Sequence, residues 1–208
     1  MVIEKFVVGP LESNCFIVAD EKSKECIVID PGDEPDRILD FVRENNFKVK
    51  YIICTHGHFD HVAAVSDIKK ETGAGLILHP GDMEIYRGTK DQAKSWGFEI
   101  DPQPEPDIVA SDSYKIEVGG LRFEIVHTPG HSPGGICLYG EGILISGDTL
   151  FAGSVGRTDL HGGDIRGLKK SFKRLMSLPH NTKILPGHGP ESTIGREKTD
   201  NFFASEIQ

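Results

Sequence analysis

The sequence contains few cysteines and no paired cysteine motif. Its four cysteines in 208 residues lie at positions 15, 26, 54 and 137, and none forms a C-x-x-C pair. We expect all four to be reduced thiols buried in strands. The alternative is a Cys15–Cys26 bridge, which would require an oxidising compartment.

Long apolar segments and an excess of basic residues are also missing. No run approaches the roughly 18 apolar residues that a membrane span needs, and residues 1–9 lack the basic start and apolar core of a signal peptide. Lysine and arginine number 23 against 32 aspartate and glutamate residues, so the net charge is -9. This balance argues against a broad nucleic-acid-binding face. We therefore expect a cytoplasmic protein with neither membrane nor nucleic-acid partners.

What the sequence does contain is typical of a folded globular protein. Hydrophobic residues make up 38% and charged residues 26%, which are ordinary values. The length suffices for one domain with a sizeable core. We expect a single domain over residues 1–208.

Strand and helix patterns follow each other in two similar halves. Strands are predicted at 2–8, 14–19, 25–30, 51–54, 76–78, 113–118, 121–126, 135–139, 143–146 and 183–185. Helices are predicted at 33–46, with Asp33 as N-cap, at 62–72, in pieces within 80–96, and at 164–178. Prolines at 102, 104 and 106 predict an extended loop over 98–110. The pattern favours an α/β protein with two packed sheets flanked by helices.

The most informative segment is Thr-His-Gly-His-Phe-Asp-His at residues 55–61. It follows a predicted buried strand and precedes a predicted helix, so its side chains lie where a rigid scaffold meets solvent. Imidazole and carboxylate groups are good ligands for zinc and similar divalent metals. His56 and His58 can converge on one metal, while Asp60 and His61 face a second.

Three further predicted strands end in residues of the same kind. They are followed by His127-Thr128-Pro129-Gly130-His131, by Gly147-Asp148-Thr149 and by Pro186-Gly187-His188-Gly189. The flanking glycines and prolines permit sharp turns and close backbone approach. Strands of packed sheets end along a common edge, so these loops can meet at one place.

Seven side chains suffice for a two-metal centre. The first metal is predicted to be held by His56, His58 and His131, the second by Asp60, His61 and His188, and Asp148 is predicted to bridge them. Each metal then has an open position for a shared water. Metal coordination lowers the pKa of that water toward about 7, so it can be present as hydroxide.

The motif His56-x-His58-x-Asp60-His61, followed by His131, Asp148 and His188, resembles the metallo-β-lactamase superfamily and, within it, glyoxalase II (hydroxyacylglutathione hydrolase). The resemblance runs from Asn14 to Gly189. It implies an αββα four-layer sandwich and a binuclear site on the seven residues, with zinc as the first choice and iron or manganese as alternatives. It also implies that Asp30 supports a ligand from behind.

The resemblance further implies an activity. A glyoxalase II-like enzyme hydrolyses a small-molecule thioester such as S-lactoylglutathione by attack of a metal-bridging hydroxide. Asp148 and Asp60 are then the catalytic carboxylates, with Asp60 orienting the hydroxide. A β-lactamase would be expected to have cysteine at the position of Asp148 and to lack His61.

Two alternatives remain open. A mononuclear iron persulfide dioxygenase would use only His56, His131 and Asp148, and the Pro-Gly-His-Gly segment around His188 favours two metals instead. A non-catalytic metal-binding protein would be expected to have lost a ligand, and none is missing.

The chain departs from the longer glyoxalase II enzymes in two places. Only 20 residues follow His188, so we expect this chain to lack the helical region that holds glutathione in those enzymes. The segment Gly156-Arg157-Thr158-Asp159 falls where they have a basic residue and a tyrosine. Arg157 could bind a substrate carboxylate by a forked contact or form a structural salt bridge, and Asp159 does not match the tyrosine. This shortened form resembles the compact bacterial type.

Overall fold

The computed structural model describes residues 1–205. Within them the strands form two six-stranded sheets and one two-stranded sheet. The first sheet has the strand order β1-β2-β3-β4-β5-β6, with strands β1 (Val2–Val8), β2 (Ser13–Ala19), β3 (Glu25–Ile29), β4 (Lys48–Ile53), β5 (Gly75–Leu78) and β6 (Ile108–Val109). The second has the order β14-β13-β10-β9-β8-β7, with strands β7 (Lys115–Val118), β8 (Leu121–His127), β9 (Ile136–Gly140), β10 (Ile143–Gly147), β13 (Lys183–Pro186) and β14 (Ser192–Thr193). A separate pair joins β11 (Leu150–Phe151) and β12 (Ser154–Val155).

Alternation of side chains along the strands gives each sheet two apolar faces. In β2, Phe16 and Val18 point into the cluster between the sheets, where they meet residues of the second sheet such as Ile125 and Leu138. Cys15 and Ile17 point to the opposite face. Both faces of each sheet are therefore buried, one against the other sheet and one against helices.

Helices cover the outer face of each sheet. Eight helices are described: α1 (Pro35–Glu44), α2 (Phe59–Val62), α3 (Val65–Thr72), α4 (Met83–Arg87), α5 (Thr89–Ser95), α6 (Ile165–Leu175), α7 (Ile194–Asp200) and α8 (Phe202–Ser205). The apolar sides of α1 and α3 pack on the first sheet, and those of α6, α7 and α8 pack on the second. The predicted αββα four-layer sandwich is confirmed. No helix within residues 1–205 is long and apolar enough to cross a membrane.

Strand direction brings the functional loops to one edge. Strands β3, β4 and β5 are parallel neighbours, and β8, β10 and β13 all run in one direction because β9 is antiparallel to both β8 and β10. The carboxyl ends of strands that run together lie at the same edge of a sheet. The residues that follow these ends are the ones that the sequence singled out.

The first helix begins later than predicted. The predicted helix 33–46 is observed as Pro35–Glu44, and Asp33 is not its N-cap. Glu34 occupies the cap position with φ 53°, in the left-handed region. A residue before proline is disfavoured in the right-handed helical region, so the helix begins only at Pro35. The carboxylate of Asp33 instead accepts a hydrogen bond from the backbone N–H of Glu34 at 2.7 Å.

The helix predicted at 62–72 is interrupted and begins earlier. It is observed as α2 and α3, and Asp60 and His61 lie in the first turn of α2. The break coincides with a hydrogen bond from the backbone N–H of Ala64 to the carbonyl of Pro31, 3.0 Å long. This bond ties the turn between the helices to the loop after β3.

The chain after Leu185 contains structure that the sequence patterns did not predict. Strand β14 extends the edge of the second sheet beside β13, and helices α7 and α8 pack on its outer face. Strands β11 and β12 were also not predicted. Strands β11, β12 and β14 are each only two residues long, which is too short to show a hydrophobic period in the sequence. The loop predicted over 98–110 contains no helix, and its end, β6, joins the first sheet.

All four cysteines are free and buried, as predicted, and no Cys15–Cys26 bridge forms. Burial raises the pKa of Cys26 to about 12 and that of Cys137 to about 11. Burial, together with the nearby carboxylate of Asp30, also holds the pKa of Cys15 well above its ordinary value. The thiols are therefore protonated and unreactive in the folded protein.

We expect the native protein to react negligibly with a thiol-specific disulfide reagent at pH 8, and the denatured chain to react at all four cysteines. Because the folded-state pKa values are raised, the corresponding stability is fully present below the unfolded value near 9 and is lost as the pH rises through about 11 to 12. Thiol titration and unfolding curves between pH 8 and 11.5 measure both effects. Rapid labelling of one or more thiols in the native state would contradict this burial.

Candidate metal centre

Six of the seven predicted ligands form two compact groups of donor atoms. One group contains His56, His58 and His131, and the other contains Asp60, His61 and His188. Within each group the donor atoms lie within 4.8 Å of one another. The same distance criterion also joins Asp30, His56 and His61, so that His56 and His61 each belong to two possible groups.

Hydrogen bonds on the far side of two of the three rings, those of His56 and His131, fix their direction. The Thr55 hydroxyl donates to Asp30 Oδ2 at 2.6 Å, so it accepts from His56 Nδ1, 3.0 Å away. His131 Nδ1 donates to the carbonyl of Arg157 at 2.8 Å. In both rings the Nε2 lone pair is consequently left facing the group.

Two observations show that this first group suits a cation. His56 Nε2 is buried and has no hydrogen-bond partner, although buried polar atoms are almost always paired. His58 Nδ1 lies 2.9 Å from His131 Nε2, which is close enough for both nitrogens to bind one ion. Three imidazoles are a donor set that zinc, iron and similar metals accept.

The second group is held from two sides. His61 Nδ1 lies 3.2 Å from Asp30 Oδ2, which directs His61 Nε2 toward His188 Nε2 at 3.2 Å. Asp60 Oδ2 lies 3.4 Å from each of these two nitrogens and accepts a hydrogen bond from the Ser13 hydroxyl at 3.1 Å. Asp30, which the resemblance suggested as a support, thus orients both groups through Thr55 and His61.

Asp148, the seventh residue, lies between the two groups. Its Oδ2 is 3.6 Å from His131 Nε2 in the first group and 3.7 Å from His188 Nε2 in the second. Its Oδ1 is 3.5 Å from His61 Nε2 and is buried without a hydrogen-bond partner. A carboxylate in this position has an oxygen available for each group.

The two groups differ in charge. Burial, with the neighbouring His131, lowers the pKa of His58 to about 4, and burial holds the pKa of His56 well below its ordinary value. Burial also opposes protonation of His61, but Asp60 and Asp148 overcome it and raise its pKa to about 10. His56 and His58 therefore disfavour a bound proton, whereas in the second group a positive charge on His61 is stabilised.

Glycines allow the loops to approach this closely. A Cβ atom on Gly32 would lie 1.7 Å from the carbonyl oxygen of Asp60, and one on Gly156 would lie 1.9 Å from that of Asp148. A Cβ atom on Gly187 would lie 2.2 Å from Asp148 Oδ1. These positions exclude any side chain because site residues occupy the space.

Several residues that shape the site were not identified from the sequence. Asn14 donates its backbone N–H to the carbonyl of Gly187 and its side-chain amide to those of Pro186 and Gly189, at 2.7, 2.8 and 3.0 Å. It thereby holds the loop that carries His188. Thr55 lies inside the opening motif, but its role depends on a partner 25 residues away. Such long-range hydrogen bonds leave no periodic signal in a sequence.

Asp82 is the clearest omission, because a signal for it existed. It lies in His79-Pro80-Gly81-Asp82, which follows the end of β5 and carries the same glycine and proline flanks as the other strand-end loops. The composition of this segment predicts only a polar region that is helical in pieces, and so does not mark Asp82 as a site residue.

Arg157 lies at the cleft, but its guanidinium is already paired. Its Nε and Nη2 donate to the two carboxylate oxygens of Asp159, both at 2.6 Å. The fork that would bind a substrate carboxylate is therefore occupied, and substrate binding by Arg157 stays a prediction. Its backbone carbonyl has a separate role in orienting His131.

A cleft of about 400 Å³ opens above the centre. Ligands of both groups line its floor, and its walls are mainly apolar: Leu11, Phe59, Trp96, Phe151, Val155 and Leu160. Arg157 is the one lysine or arginine among the described residues that line it. The volume falls within the range of small-molecule sites, roughly 300–1,000 Å³.

The whole chain was compared with known protein families, sequences and structures. A family model described as the metallo-beta-lactamase superfamily matches residues 8–188. The chain is 34% identical to hydroxyacylglutathione hydrolase GloC of Haemophilus influenzae, over 98% of this chain and 98% of that protein. It is similar to the structure of TTHA1623 in a di-iron-bound form, with 39% identity, a TM-score of 0.89 and coverage of 96% of this chain and 99% of that one. It is also similar to the BLEG-1 B3 metallo-beta-lactamase, with 31% identity, a TM-score of 0.91 and coverage of 98% and 100%.

We expect Gly187→Ala to disrupt the centre, because the added Cβ would displace Asp148 Oδ1, 2.2 Å away. Metal analysis of the purified variant should show fewer bound ions per chain than the wild type, with affinity lowered by about tenfold or more. The matched control is Gly120→Ala, whose Cβ would meet only Asp20 Oδ2, at 3.7 Å. Equal metal content in both variants would contradict the close packing described here.

Proposed function

The chain belongs to the metallo-beta-lactamase superfamily, and from this premise we propose that it is a metal-dependent thioester hydrolase acting on S-2-hydroxyacyl thioesters such as S-lactoylglutathione. The observation that carries the proposal is the position of Asp148 between two groups of ligand-type side chains, below a cleft. Similarity to a protein named hydroxyacylglutathione hydrolase supports the choice of substrate.

The donor set fits two divalent cations, which when bound supply Lewis acidity for the carbonyl oxygen and a water whose pKa falls toward about 7. His56, His58 and His131 would hold the first, and Asp60, His61 and His188 the second. Asp148 would contact both. Zinc is our first choice, with iron or manganese as alternatives, and the di-iron form of TTHA1623 shows that a relative accepts iron.

The chain itself contributes orientation and exclusion of water. Asp60 Oδ2 is fixed by the Ser13 hydroxyl. It can therefore accept a proton from the attacking water and orient the lone pair of the water oxygen toward the carbonyl carbon. The apolar walls hold the thioester in the cleft and limit access of bulk water. Because the Arg157 guanidinium is paired with Asp159, recognition of a substrate carboxylate requires that pair to separate.

A second candidate activity is β-lactam hydrolysis. It is favoured by similarity to a structure named as a B3 metallo-beta-lactamase at 31% identity. Against it stand Asp148, at a position where a β-lactamase would be expected to have cysteine, and the presence of His61. A mononuclear persulfide dioxygenase also stays a hypothesis from the sequence.

The proposal is tested with the purified full chain loaded in turn with zinc, iron and manganese. We expect release of free thiol from S-lactoylglutathione, and little turnover of a chromogenic cephalosporin. Oxygen consumption with glutathione persulfide should also be small. Faster hydrolysis of the cephalosporin, or oxygen consumption without thiol release, would overturn the assignment.

Asp148→Ala removes the carboxylate that lies between the two groups. We expect loss of one bound ion per chain and a fall in kcat/KM of at least about 100-fold, the scale on which a single electrostatic catalytic group acts. Metal analysis and thiol-release kinetics measure the two effects on the same sample. Retention of both ions with full turnover would show that Asp148 does not bridge.

Trp96 is half exposed at the cleft, with its ring 6.3 Å from that of Phe59. We expect Trp96→Ala to raise KM by about 2- to 12-fold with kcat nearly unchanged. Apolar contact of roughly 20–60 Å² with the ring, at about 25 cal/mol/Å², acts equally on bound substrate and transition state. Trp96→Phe is the matched control and should retain most of the affinity. An unchanged KM in the alanine variant would place the substrate elsewhere.

A further inference from the structure

Asp82 is a fully buried carboxylate that lies outside the predicted ligand set. Its side chain has no exposed surface. Its Oδ2 accepts hydrogen bonds from the backbone N–H of Gly57 at 2.8 Å and from the hydroxyl of Ser132 at 2.7 Å, and its Oδ1 accepts one from the backbone N–H of Gly134 at 2.5 Å. Ionised groups are costly to bury unless they are paired or hydrogen-bonded. The three donors supply the hydrogen bonds that allow this carboxylate to be buried.

The three donors belong to the two loops that carry the first group. Gly57 lies between His56 and His58, and Ser132 directly follows His131. These loops leave β4 in the first sheet and β8 in the second. A single side chain thus joins the two segments on which all three ligands of the first group are mounted.

The backbone around Asp82 packs closely against both loops. A Cβ atom on Gly81 would lie 2.9 Å from Gly134 Cα, and one on Gly134 would lie 2.4 Å from the backbone nitrogen of Asp82. A Cβ atom on Gly57 would lie 2.8 Å from the backbone nitrogen of Tyr86. Glycine at these positions permits the approach that the hydrogen bonds need.

The second group is anchored by other contacts. Asp60 and His61 lie on α2 and are bonded to Ser13 and Asp30, respectively. His188 lies in the loop held by Asn14. None of the hydrogen bonds described for Asp82 reaches these residues.

From this asymmetry we infer that Asp82 is a positioning residue for the first metal site alone: it fixes the spacing between the loops of His58 and His131 and so sets the affinity of that site. The inference rests on the metal centre in the proposed function. It requires neither a particular substrate nor turnover.

The arrangement requires a carboxylate rather than an amide. The backbone N–H groups of Gly57 and Gly134 point at opposite oxygens of Asp82, and neither can reverse its direction. In Asp82→Asn the side-chain NH₂ group must therefore face one of these two donors. The variant keeps the size of the side chain but loses at least one of the bonds that join the loops.

The test is a stepwise zinc titration of the metal-free full chain by calorimetry. His58→Ala and His188→Ala identify which binding step belongs to the first and which to the second group. We expect Asp82→Asn to weaken the step that His58→Ala removes by about 10- to 100-fold, the usual effect of losing a support behind metal ligands. The step that His188→Ala removes should be unchanged.

Glu197→Gln is a matched control, because Glu197 is also a fully buried carboxylate. It accepts hydrogen bonds from the backbone N–H of Gly153 at 2.7 Å, from the Asn201 amide at 2.8 Å and from the Ser192 hydroxyl. None of these donors adjoins a predicted metal ligand. We expect this variant to lose stability in thermal unfolding while both zinc-binding steps stay as in the wild type.

If Asp82→Asn does not fold, Ser132→Ala replaces it. That change removes one donor and leaves the two backbone bonds, so a smaller weakening of the same step is expected. Equal weakening of both steps, or no weakening of the first, in the folded variant overturns the positioning role. A wild-type chain that binds two zinc ions but releases no thiol overturns the proposed function, while the site-selective effect of Asp82→Asn still decides the present inference.

Discussion

The geometry of the centre depends on the hydrogen bonds made by the histidine ring nitrogens that face away from it. Thr55, Asp30 and the carbonyl of Arg157 each engage one ring nitrogen of a histidine, and this leaves the opposite nitrogen facing inward. An imidazole without such a partner can rotate or change tautomer, and its lone pair is then not fixed in direction. The inward convergence of lone pairs is stable because the outer hydrogen bonds are made within the protein.

The strand-end loops could be predicted from the sequence because each has a local signature. His56, Asp148 and His188 lie after short apolar runs and beside glycine or proline, and the parallel pairing of β10 with β13 brings Asp148 and His188 to the same edge of the second sheet. The layer order followed from the same apolar runs. The predicted N-cap of α1, Asp33, was wrong. Pro35 disfavours a helical conformation at Glu34, so the helix cannot begin directly after Asp33.

The partners of the supporting residues could not be predicted in this way, even for Asp82, whose segment carries a local glycine and proline signal. Asn14 contacts residues more than 170 positions away, and Asp82 contacts residues 25 and 50 or more positions away. A buried polar side chain is recognised by its partners, and those partners are known only when the chain is folded. The pairing of Arg157 with Asp159 is the opposite case. The two residues lie only two positions apart, but the sequence does not show whether Arg157 pairs with Asp159 or with a substrate.

The hydrogen bonds of Asn14 also bear on how the molecule holds together. Ser13 and His188 form an isolated β-bridge, so the second strand of one sheet is bonded directly to the loop that leaves the other. Separation of the sheets at this point would carry His188 away from Asp60 and His61. Bound cations would therefore act as a cross-link between the two halves of the chain, and mechanical opening of the sandwich and release of metal would be one and the same event.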